Sequence, residues 1–437
     1  MRRTALAVAV GGLFMAPAAQ AQIVFGNEQL GTLQLYGKLY PQFGYGTSKD
    51  PSQPSTTATG TNGATVSTLV STTGICGTST TGAGATNTGG CAAVSPGARR
   101  AVDVQNSYIG FRGERDIAPS GLKFIWQIEQ SINFDTGVST TSWSTRNSFL
   151  GARTRFGTVK LGNMDTIYKE YGDTMMMFGI ASGNFISASN VLSHIGLGNN
   201  NNARFHERAP NSIQFESPQF AGFTAGYQYS PDEARNTAGG GTDASLHSYG
   251  VKWDTQRFYL SVHQELHNDR FGGSSNVGST AMSNIGTAGA HSRDTGTRVS
   301  GEWRFSENQR FVVDISRLRY RERGQAAGVK FEAYNHNTWG IGWDGGFGGP
   351  LRLAVQLLRG QEGNCSVTGG VGCSTTGLTG TMLNAGVRWR FDRQTFVYVI
   401  GSKLQNGPSA RYDNWSAADP ARGADILQGA IGLSYTF

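Results

Sequence analysis

The sequence lacks long apolar runs and is poor in charged residues. No window contains roughly eighteen or more uninterrupted apolar residues, which excludes membrane-spanning helices. Charged residues make up only 15% of the 437 residues and hydrophobic residues 38%, a balance that does not fit a disordered chain. Long helix-period runs rich in Ala, Glu, Leu and Lys are also missing, which argues against an α-rich or α/β enzyme. These absences favour an all-β protein built from many short strands.

Cysteine is scarce, and its spacing does not match a zinc site. Cys76 and Cys91 flank one polar stretch rich in Gly and Thr, and Cys365 and Cys373 flank another. Neither pair has the tight C-x2-C spacing that zinc sites favour. An exported protein meets an oxidising compartment, so we predict two local disulfides, Cys76–Cys91 and Cys365–Cys373. Each would restrain a loop, and neither would carry chemistry.

The first residues have the pattern of an export signal. The chain begins with two arginines after Met1, continues through an apolar stretch that ends at Met15, and reaches Ala-Gln-Ala at 19–21. A charged start, a short apolar core and an A-x-A site are typical of a secretory signal peptide. We therefore predict that residues 1–21 are cleaved and that residues 22–437 form a single exported domain.

Short stretches along the chain alternate between apolar and polar residues. In LQLYGKLYPQF, Leu33, Leu35 and Phe43 share one face, whereas Gln34 and Lys38 share the other. The same period of two recurs in GLKFIWQIE, SYGVKW, RVSGEWRF, LNAGVRWRF and the last eight residues, AIGLSYTF. This alternation predicts strands with one apolar and one polar face.

The connections between these stretches are of two alternating kinds. Some are short, such as DIAPS, RFGT and DTQR, and others are long and polar, such as residues 47–99 and 164–204. Short turns at one end and long loops at the other are typical of a transmembrane barrel. From Leu30 to Phe437 we count sixteen strand candidates joined by eight long loops and seven short turns. Irregular alternation at 314–320 and 396–403 leaves this count open by two. We predict a 16-stranded antiparallel transmembrane β-barrel with short periplasmic turns and long extracellular loops.

Several segments resemble the Gram-negative general porins, in particular the trimeric porins of betaproteobacteria. They are LYGKL at 35–39, SYIGFRGERDI at 107–117, GLKFIWQIE at 121–129, RNSFLGARTRFGTVKLGN at 146–163 and NSIQFESPQFAGF at 211–223. The terminal Phe437 also resembles the signal by which the barrel assembly machinery recognises its substrates. The resemblance implies a homotrimer in the cell outer membrane, exported through the periplasm with chaperones and surrounded by lipid and lipopolysaccharide.

The resemblance also implies a constriction, because the third extracellular loop of the family folds into the barrel. That loop corresponds here to residues 164–206, and Tyr108 stands where relatives often carry Arg. The candidate lumen and constriction residues are Lys38, Arg112, Arg146, Lys160 and Arg208 on the wall, and Asp165, Glu170 and Asp173 in the loop. The three loop acids all lie in the first third of the loop.

The balance of lumen charges predicts the type of channel. On the polar strand faces basic residues outnumber acidic ones, in the same direction as the formal net charge of +7. Rings of Arg and Lys in a pore favour anions. We predict a general diffusion porin, a passive water-filled channel for small hydrophilic solutes and ions with modest anion selectivity.

Two other functions stay open at this point, a porin that prefers sugars or organic anions and a surface adhesin-type barrel. No metalloprotease, nucleophile-elbow, P-loop or dinucleotide motif is present, so we expect no catalytic residue, metal or cofactor. The basic residues are spread around a lumen rather than clustered, so we expect no nucleic-acid partner.

Overall fold

The computed structural model describes most of the chain after the predicted signal. The described residues are 23–27, 31–50, 98–117, 119–136, 144–196, 205–231, 244–270, 291–324, 331–368, 373, 375–414, 420 and 423–437. The predicted signal peptide and the predicted Cys76–Cys91 disulfide lie outside these residues.

The alternating stretches form strands, numbered here in chain order. Their bounds are β1 Ile23–Asn27, β2 Gly31–Leu39, β3 Gln42–Lys49, β4 Arg99–Asp103, β5 Tyr108–Ile117, β6 Leu122–Ser131, β7 Ser148–Thr154, β8 Gly157–Asp165, β9 Arg208–Glu216, β10 Phe223–Pro231, β11 Ser245–Asp254, β12 Phe258–Asn268, β13 His291–Ser306, β14 Gln309–Arg323, β15 Phe331–Gly346, β16 Leu351–Gly360, β17 Asn364–Val367, β18 Gly380–Arg390, β19 Thr395–Asn406 and β20 Asp425–Thr436. Two short helices, α1 Ile167–Gly172 and α2 Ser189–Leu192, and two 3-10 turns, Asp173–Met175 and Met177–Gly179, lie between β8 and β9. None of the described helices is long and apolar enough to cross a bilayer.

The described strands form a sixteen-stranded antiparallel barrel, which confirms the predicted fold. β2 and β3 are two parts of the first barrel strand, interrupted at Tyr40 and Pro41, where proline has no N–H to donate. β4 and β5 are likewise two parts of the second barrel strand, interrupted at residues 104–107. β1 is an added hairpin partner of β2, and β17 pairs with β15 in an outer loop. Every other strand counts once.

The last strand closes the barrel against the first. β20 pairs with β3 from Asp425 to Gly432, and Phe437 exchanges two backbone hydrogen bonds of 3.0 and 3.1 Å with Gly37 of β2. The Phe437 ring lies so close that a Cβ atom at position 37 would sit 2.5 Å from it. Because hydrocarbon offers no hydrogen-bond partner to an open strand edge, this closure makes a membrane-spanning sheet possible.

The connections are short at one end of the barrel and long at the other, as the sequence predicts. Adjacent strands are joined by two residues at 155–156 and three at 255–257, whereas at the opposite end β3 ends at Lys49 and β4 begins at Arg99, and β8 ends at Asp165 and β9 begins at Arg208. The long-loop end also carries a disulfide between Cys365 and Cys373, whose Cα atoms are 5.7 Å apart.

Side chains along each strand alternate between the outer surface and the interior. On β14, Phe311, Val313 and Ile315 are 49%, 45% and 56% exposed, whereas the intervening Val312 and Asp314 are 6% and 0% exposed. Large exposed apolar side chains recur at alternate positions of the other strands. This outward apolar band is the surface that a barrel presents to lipid.

Candidate pore constriction

The loop between β8 and β9, residues 166–207, is hereafter called loop L3. Its described residues, 166–196 and 205–207, fold inward and pack on the inner wall. Its apolar side chains Ile167, Val191 and Leu192 are fully buried. The predicted loop began two residues earlier, but Met164 and Asp165 belong to β8 because they pair with Ala209 and Arg208 of β9. An inward third loop is therefore present, with slightly later bounds.

Polar side chains of the wall hold the backbone of L3. Four of them donate hydrogen bonds of 2.8 to 2.9 Å to L3 carbonyl oxygens, namely Ser261 to Tyr171, Thr338 to Leu192, Gln356 to Met175 and Asn384 to Ile186. A loop buried inside a protein must satisfy its peptide groups, since each one left unpaired costs about 1–3 kcal/mol. The inward side chains of the distant strands β12, β15, β16 and β18 thus fix the position of L3.

On the opposite wall, basic and aromatic side chains stack in a column. The guanidinium of Arg112 lies 4.6 Å from the ring centroid of Tyr36, and that of Arg146 lies 4.6 Å from the ring centroid of Tyr108. The two tyrosine rings meet edge to face at 6.2 Å. Glu129 accepts hydrogen bonds from the Tyr36 hydroxyl at 3.0 Å and from Arg146 Nε at 3.1 Å. Tyr108 stands where relatives often carry arginine, and its ring packs against the guanidinium of Arg146.

Lys38 connects this wall to L3. Its ammonium donates a hydrogen bond to the carbonyl oxygen of Gly179 in the middle of the loop. The loop segment around this contact, residues 176–182, contains no charged side chain. Arg146 and Arg388 are the like-charged neighbours whose electrostatic effect reaches Lys38. The positive charge of Lys38 therefore meets an uncharged stretch of L3, with two further cations of the wall nearby.

Arg208 and Asp165 form an ion pair where L3 leaves and rejoins the wall. Arg208 Nη2 and Lys169 Nζ both lie 2.9 Å from Asp165 Oδ1. Asn147 donates to the other carboxylate oxygen at 3.0 Å and accepts from Arg208 Nε at 2.9 Å. The prediction of Asp165 as a loop acid is therefore wrong, because it ends β8 and is neutralised by two cations.

Glu170 lies on α1 of L3 among two lysines and two carboxylates of the wall. Burial, the largest cause, raises the pKa of Glu170 to about 7. The negative charges of Glu216 and Asp165 act in the same direction, whereas Lys160 and Lys252 oppose it. A carboxyl group with this pKa carries only part of a charge at neutral pH.

Asp173, the third candidate acid of the loop, is paired within L3 itself. Its Oδ1 lies 2.6 Å from His206 Nε2. Burial alone would raise the pKa of Asp173, but the charge and hydrogen bond of His206 outweigh burial and lower it below its usual range. Asp173 therefore remains ionised next to a partner and does not stand free opposite the basic wall.

A belt of alternating charges follows the inner wall toward the short-turn end. Its members, in order of contact, are Asp254, Arg304, Glu302, Arg310, Asp344 and Arg352. Arg310 lies on the inner face because its neighbour Phe311 points outward. Each charge in the belt has a partner of opposite sign, so the belt adds little to the net charge of the lumen.

A second, deeper ion pair lies behind L3. Arg298 Nε donates to both carboxylate oxygens of Asp314, at 2.9 and 2.7 Å, and the two side chains are only 2% and 0% exposed. Ser300 donates a further bond of 2.6 Å to the same carboxylate. The Arg298 guanidinium lies 5.7 Å from the ring of Tyr168 in L3, so this pair supports the loop from the wall.

A comparison of the sequence with protein-family models agrees with the sixteen-stranded barrel and its inward third loop. The model of the Gram-negative porins matches residues 5–418. The chain belongs to the Gram-negative porin family. This membership confirms the family resemblance and the outer-membrane location.

Individual relatives match parts of this porin. The major outer membrane protein P.IB of Neisseria lactamica is 31% identical over 155 residues, 35% of this chain and 40% of the relative. The P.IA protein of Neisseria meningitidis serogroup A is 31% identical over 132 residues, 30% of each chain. The chain thus spans about two fifths or less of the length of the curated relatives it matches.

Solved porin structures share the fold over nearly the whole chain. The anion-selective porin from Comamonas acidovorans superposes with a TM-score of 0.62 at 15% identity, over 93% of this chain and 99% of the other. Salmonella typhi OmpF, in a complex with daunomycin, gives a TM-score of 0.57 at 14% identity, over 95% and 100%. At these identities the likeness shows the fold alone.

Proposed function

We propose that this porin is a general diffusion channel for small hydrophilic solutes and ions with modest anion selectivity. The observation that carries the proposal is the contact of the Lys38 ammonium with the uncharged segment 176–182 of L3, next to the basic and aromatic column that contains Arg112 and Arg146. Wall charge acts on a passing ion within about 10 Å at moderate salt, so it must lie at a narrow place. L3 narrows the lumen where Lys38 of the wall donates a hydrogen bond to its backbone, so the basic side chains lie at such a narrow place.

The paired charges elsewhere support the same sign of selectivity. The belt from Asp254 to Arg352 and the buried pair of Arg298 and Asp314 are internally compensated. The Arg112 guanidinium packs on the ring of Tyr36 and donates a hydrogen bond to the neutral Gln34, so neither partner offsets its positive charge. Glu129 offsets the charge of Arg146, and the charges of Lys38 and Arg112 remain. The lumen next to L3 thus carries an excess of positive charge, which favours anions.

Reversal potentials in a KCl gradient across a planar bilayer test this proposal. The wild-type channel is expected to prefer chloride, and the Lys38→Gln, Arg112→Gln and Arg146→Gln triple variant is expected to lose most of that preference. A variant with Arg393→Gln in an exposed short turn serves as the control and keeps the preference. A cation-selective wild type, or an unchanged triple variant, contradicts the assignment.

A preference for organic anions is the second candidate function. The alternating column Arg112, Tyr36, Tyr108 and Arg146 offers both charge and aromatic faces. A small aromatic carboxylate that blocks chloride current more strongly than acetate would favour this second function over general diffusion. Equal block by the two anions favours general diffusion.

The assembly and surroundings of the porin follow from the resemblance. We propose a homotrimer surrounded by outer-membrane lipid and lipopolysaccharide, with Phe437 as the recognition signal for the assembly machinery. The Vibrio cholerae protein OmpT, which shares this fold, has been described in a trimer form. The mass of the detergent-solubilised porin by light scattering distinguishes a trimer from a monomer.

A further inference from the structure

Three side chains of metal-ligating type meet where L3 rejoins the wall. Glu265 and His267 occupy alternate positions of β12 and point into the barrel, where both side chains are 0% exposed. Glu207 is the last residue of L3 and reaches them from the loop, with 26% of its side chain exposed. A ligand atom of each residue lies within 4.8 Å of the ligand atoms of the other two. We call Glu207, Glu265 and His267 the carboxylate–histidine cluster.

The spacing of the cluster suits a tetrahedral metal ion. His267 Nε2 lies 3.2 Å from Glu265 Oε1 and 3.4 Å from Glu207 Oε1. Zinc bound at about 2.0–2.2 Å by tetrahedral nitrogen and oxygen ligands holds neighbouring ligand atoms about 3.3–3.5 Å apart. The three side chains therefore need little movement to take up such an ion.

Hydrogen bonds within the cluster do not satisfy its carboxylates. A ring nitrogen of histidine carries at most one hydrogen, so His267 Nε2 cannot donate a full hydrogen bond to both glutamates. Glu265 Oε2 and Glu207 Oε1 are buried and have no hydrogen-bond partner among the described residues. The hydroxyls of Thr166 and Ser248 lie near the Glu265 carboxylate, but neither donates to Oε2 with hydrogen-bond geometry. A bound cation would satisfy these oxygens, which are otherwise costly to bury.

The surroundings of the cluster favour a further positive charge. Strand register places Asp294 of β13 opposite the histidine of the cluster, and Asp294 is 1% exposed. Arg270 Nη2 lies 3.6 Å from Glu207 Oε2, which leaves Oε1 turned toward the other two ligands. Lys169 and His206 also act on the cluster electrostatically, but each is already paired with another carboxylate. A divalent cation would offset the negative charge of this group.

The imidazole of the cluster is held in a fixed orientation. The ring of Phe205, which is 2% exposed, stacks on the His267 ring with their centroids 5.0 Å apart and their planes inclined by 21°. A fixed ring orientation is what a metal-ligating histidine requires of its surroundings. Nε2 is therefore kept facing the two glutamates.

We propose that the carboxylate–histidine cluster binds a divalent transition-metal ion, with zinc as the ion that fits best. An imidazole with two carboxylates suits zinc, whereas calcium and magnesium prefer about six or more oxygen ligands. Three protein ligands leave the fourth position to water. The ion would join the end of L3, through Glu207, to β12 of the wall. The absence of a metal motif led to the expectation of no metal, because Glu207 lies far from Glu265 and His267 in the chain.

Zinc binding by the detergent-solubilised, untagged porin tests the proposal. The protein is first freed of metal with a chelator, and calorimetric titration with Zn²⁺ is expected to show one site per chain. Glu265→Gln removes a ligand at nearly constant volume and should weaken binding at least about tenfold, because even the partners of metal ligands commonly contribute that much. Zinc X-ray absorption spectra should show an imidazole ligand together with oxygen ligands.

A matched histidine separates the cluster from general binding at the surface. His291, which is 42% exposed, lies 3.0 Å from Asp269 at the long-loop end, and His291→Gln should leave the zinc affinity unchanged. If Glu265→Gln does not fold, Glu207→Gln carries the test. Absence of a stoichiometric site, or equal affinity of wild type and cluster variant, overturns the proposal. So does displacement of zinc by millimolar calcium. The ligands are not part of the basic and aromatic column, so the outcome is independent of the proposed ion selectivity.

Discussion

Glu170 is an acidic side chain of L3 whose charge is expected to change near neutral pH. Its pKa is raised to about 7, chiefly by burial. With this pKa the carboxyl group is mostly neutral at pH 6 and mostly ionised at pH 8. The added negative charge lies on the loop that faces the basic wall, so anion selectivity is expected to fall as pH rises through this interval. Replacement by Gln removes the change.

The size of the effect follows from Coulomb's law. A unit charge about 10 Å from a passing ion contributes about 0.4 kcal/mol in water, and screening at 0.1 M salt reduces this to about 0.15 kcal/mol. The charge attracts cations and repels anions by the same amount, so the two effects multiply. The anion-to-cation permeability ratio is expected to change by about 1.7-fold at 0.1 M salt and by up to about fourfold without screening.

Reversal potentials at pH 6, 7 and 8 for wild type and Glu170→Gln measure this difference. Every other titratable group is present in both proteins, so the comparison between the two isolates Glu170. At 1 M salt the difference should nearly vanish because the Debye length falls to about 3 Å. Parallel pH profiles of the two proteins at low salt would refute the assigned pKa or the exposure of this charge to the ion path.

Two further predictions concern the barrel itself. Asp314→Asn leaves Arg298 as a buried, uncompensated charge and is expected to destabilise the barrel by about 3–5 kcal/mol, seen as unfolding at lower temperature on semi-native gels. The paired variant Arg298→Met with Asp314→Leu should restore much of the loss, and a paired variant as unstable as the single one would contradict this. Gly37→Val is expected to prevent closure because the Phe437 ring occupies that space, whereas Gly349→Ala, which meets no atom within 4 Å, should fold normally.

The barrel could be predicted from the sequence because a strand in a membrane-spanning sheet alternates between two solvents. This alternation is a local property and can be recognised in single segments such as Val312 to Ile315. The alternation of apolar and polar residues is less clear where outward residues lie beyond the hydrocarbon layer. Arg317 and Arg319 on the outward face made residues 314–320 look irregular, although the strand is continuous through them.

The constriction was only partly predictable. Lys38, Arg112 and Arg146 could be placed on the wall from parity and resemblance, and the structure brings them together around Tyr36 and Tyr108. The state of the acids could not be predicted in the same way. The sequence does not show whether a given carboxylate has a cation within about 3 Å in the folded protein.

The sequence by itself determined the all-β class, the side of each strand that meets lipid, and the division into short turns and long loops, because each depends on neighbours within a few residues. Only the tertiary structure decided that L3 is held by side chains from β12, β15, β16 and β18, and that Arg208 neutralises Asp165. These contacts join residues between about 40 and 200 positions apart, so they depend on the arrangement of the strands around the barrel. That arrangement therefore sets which charges remain free to act on a passing ion.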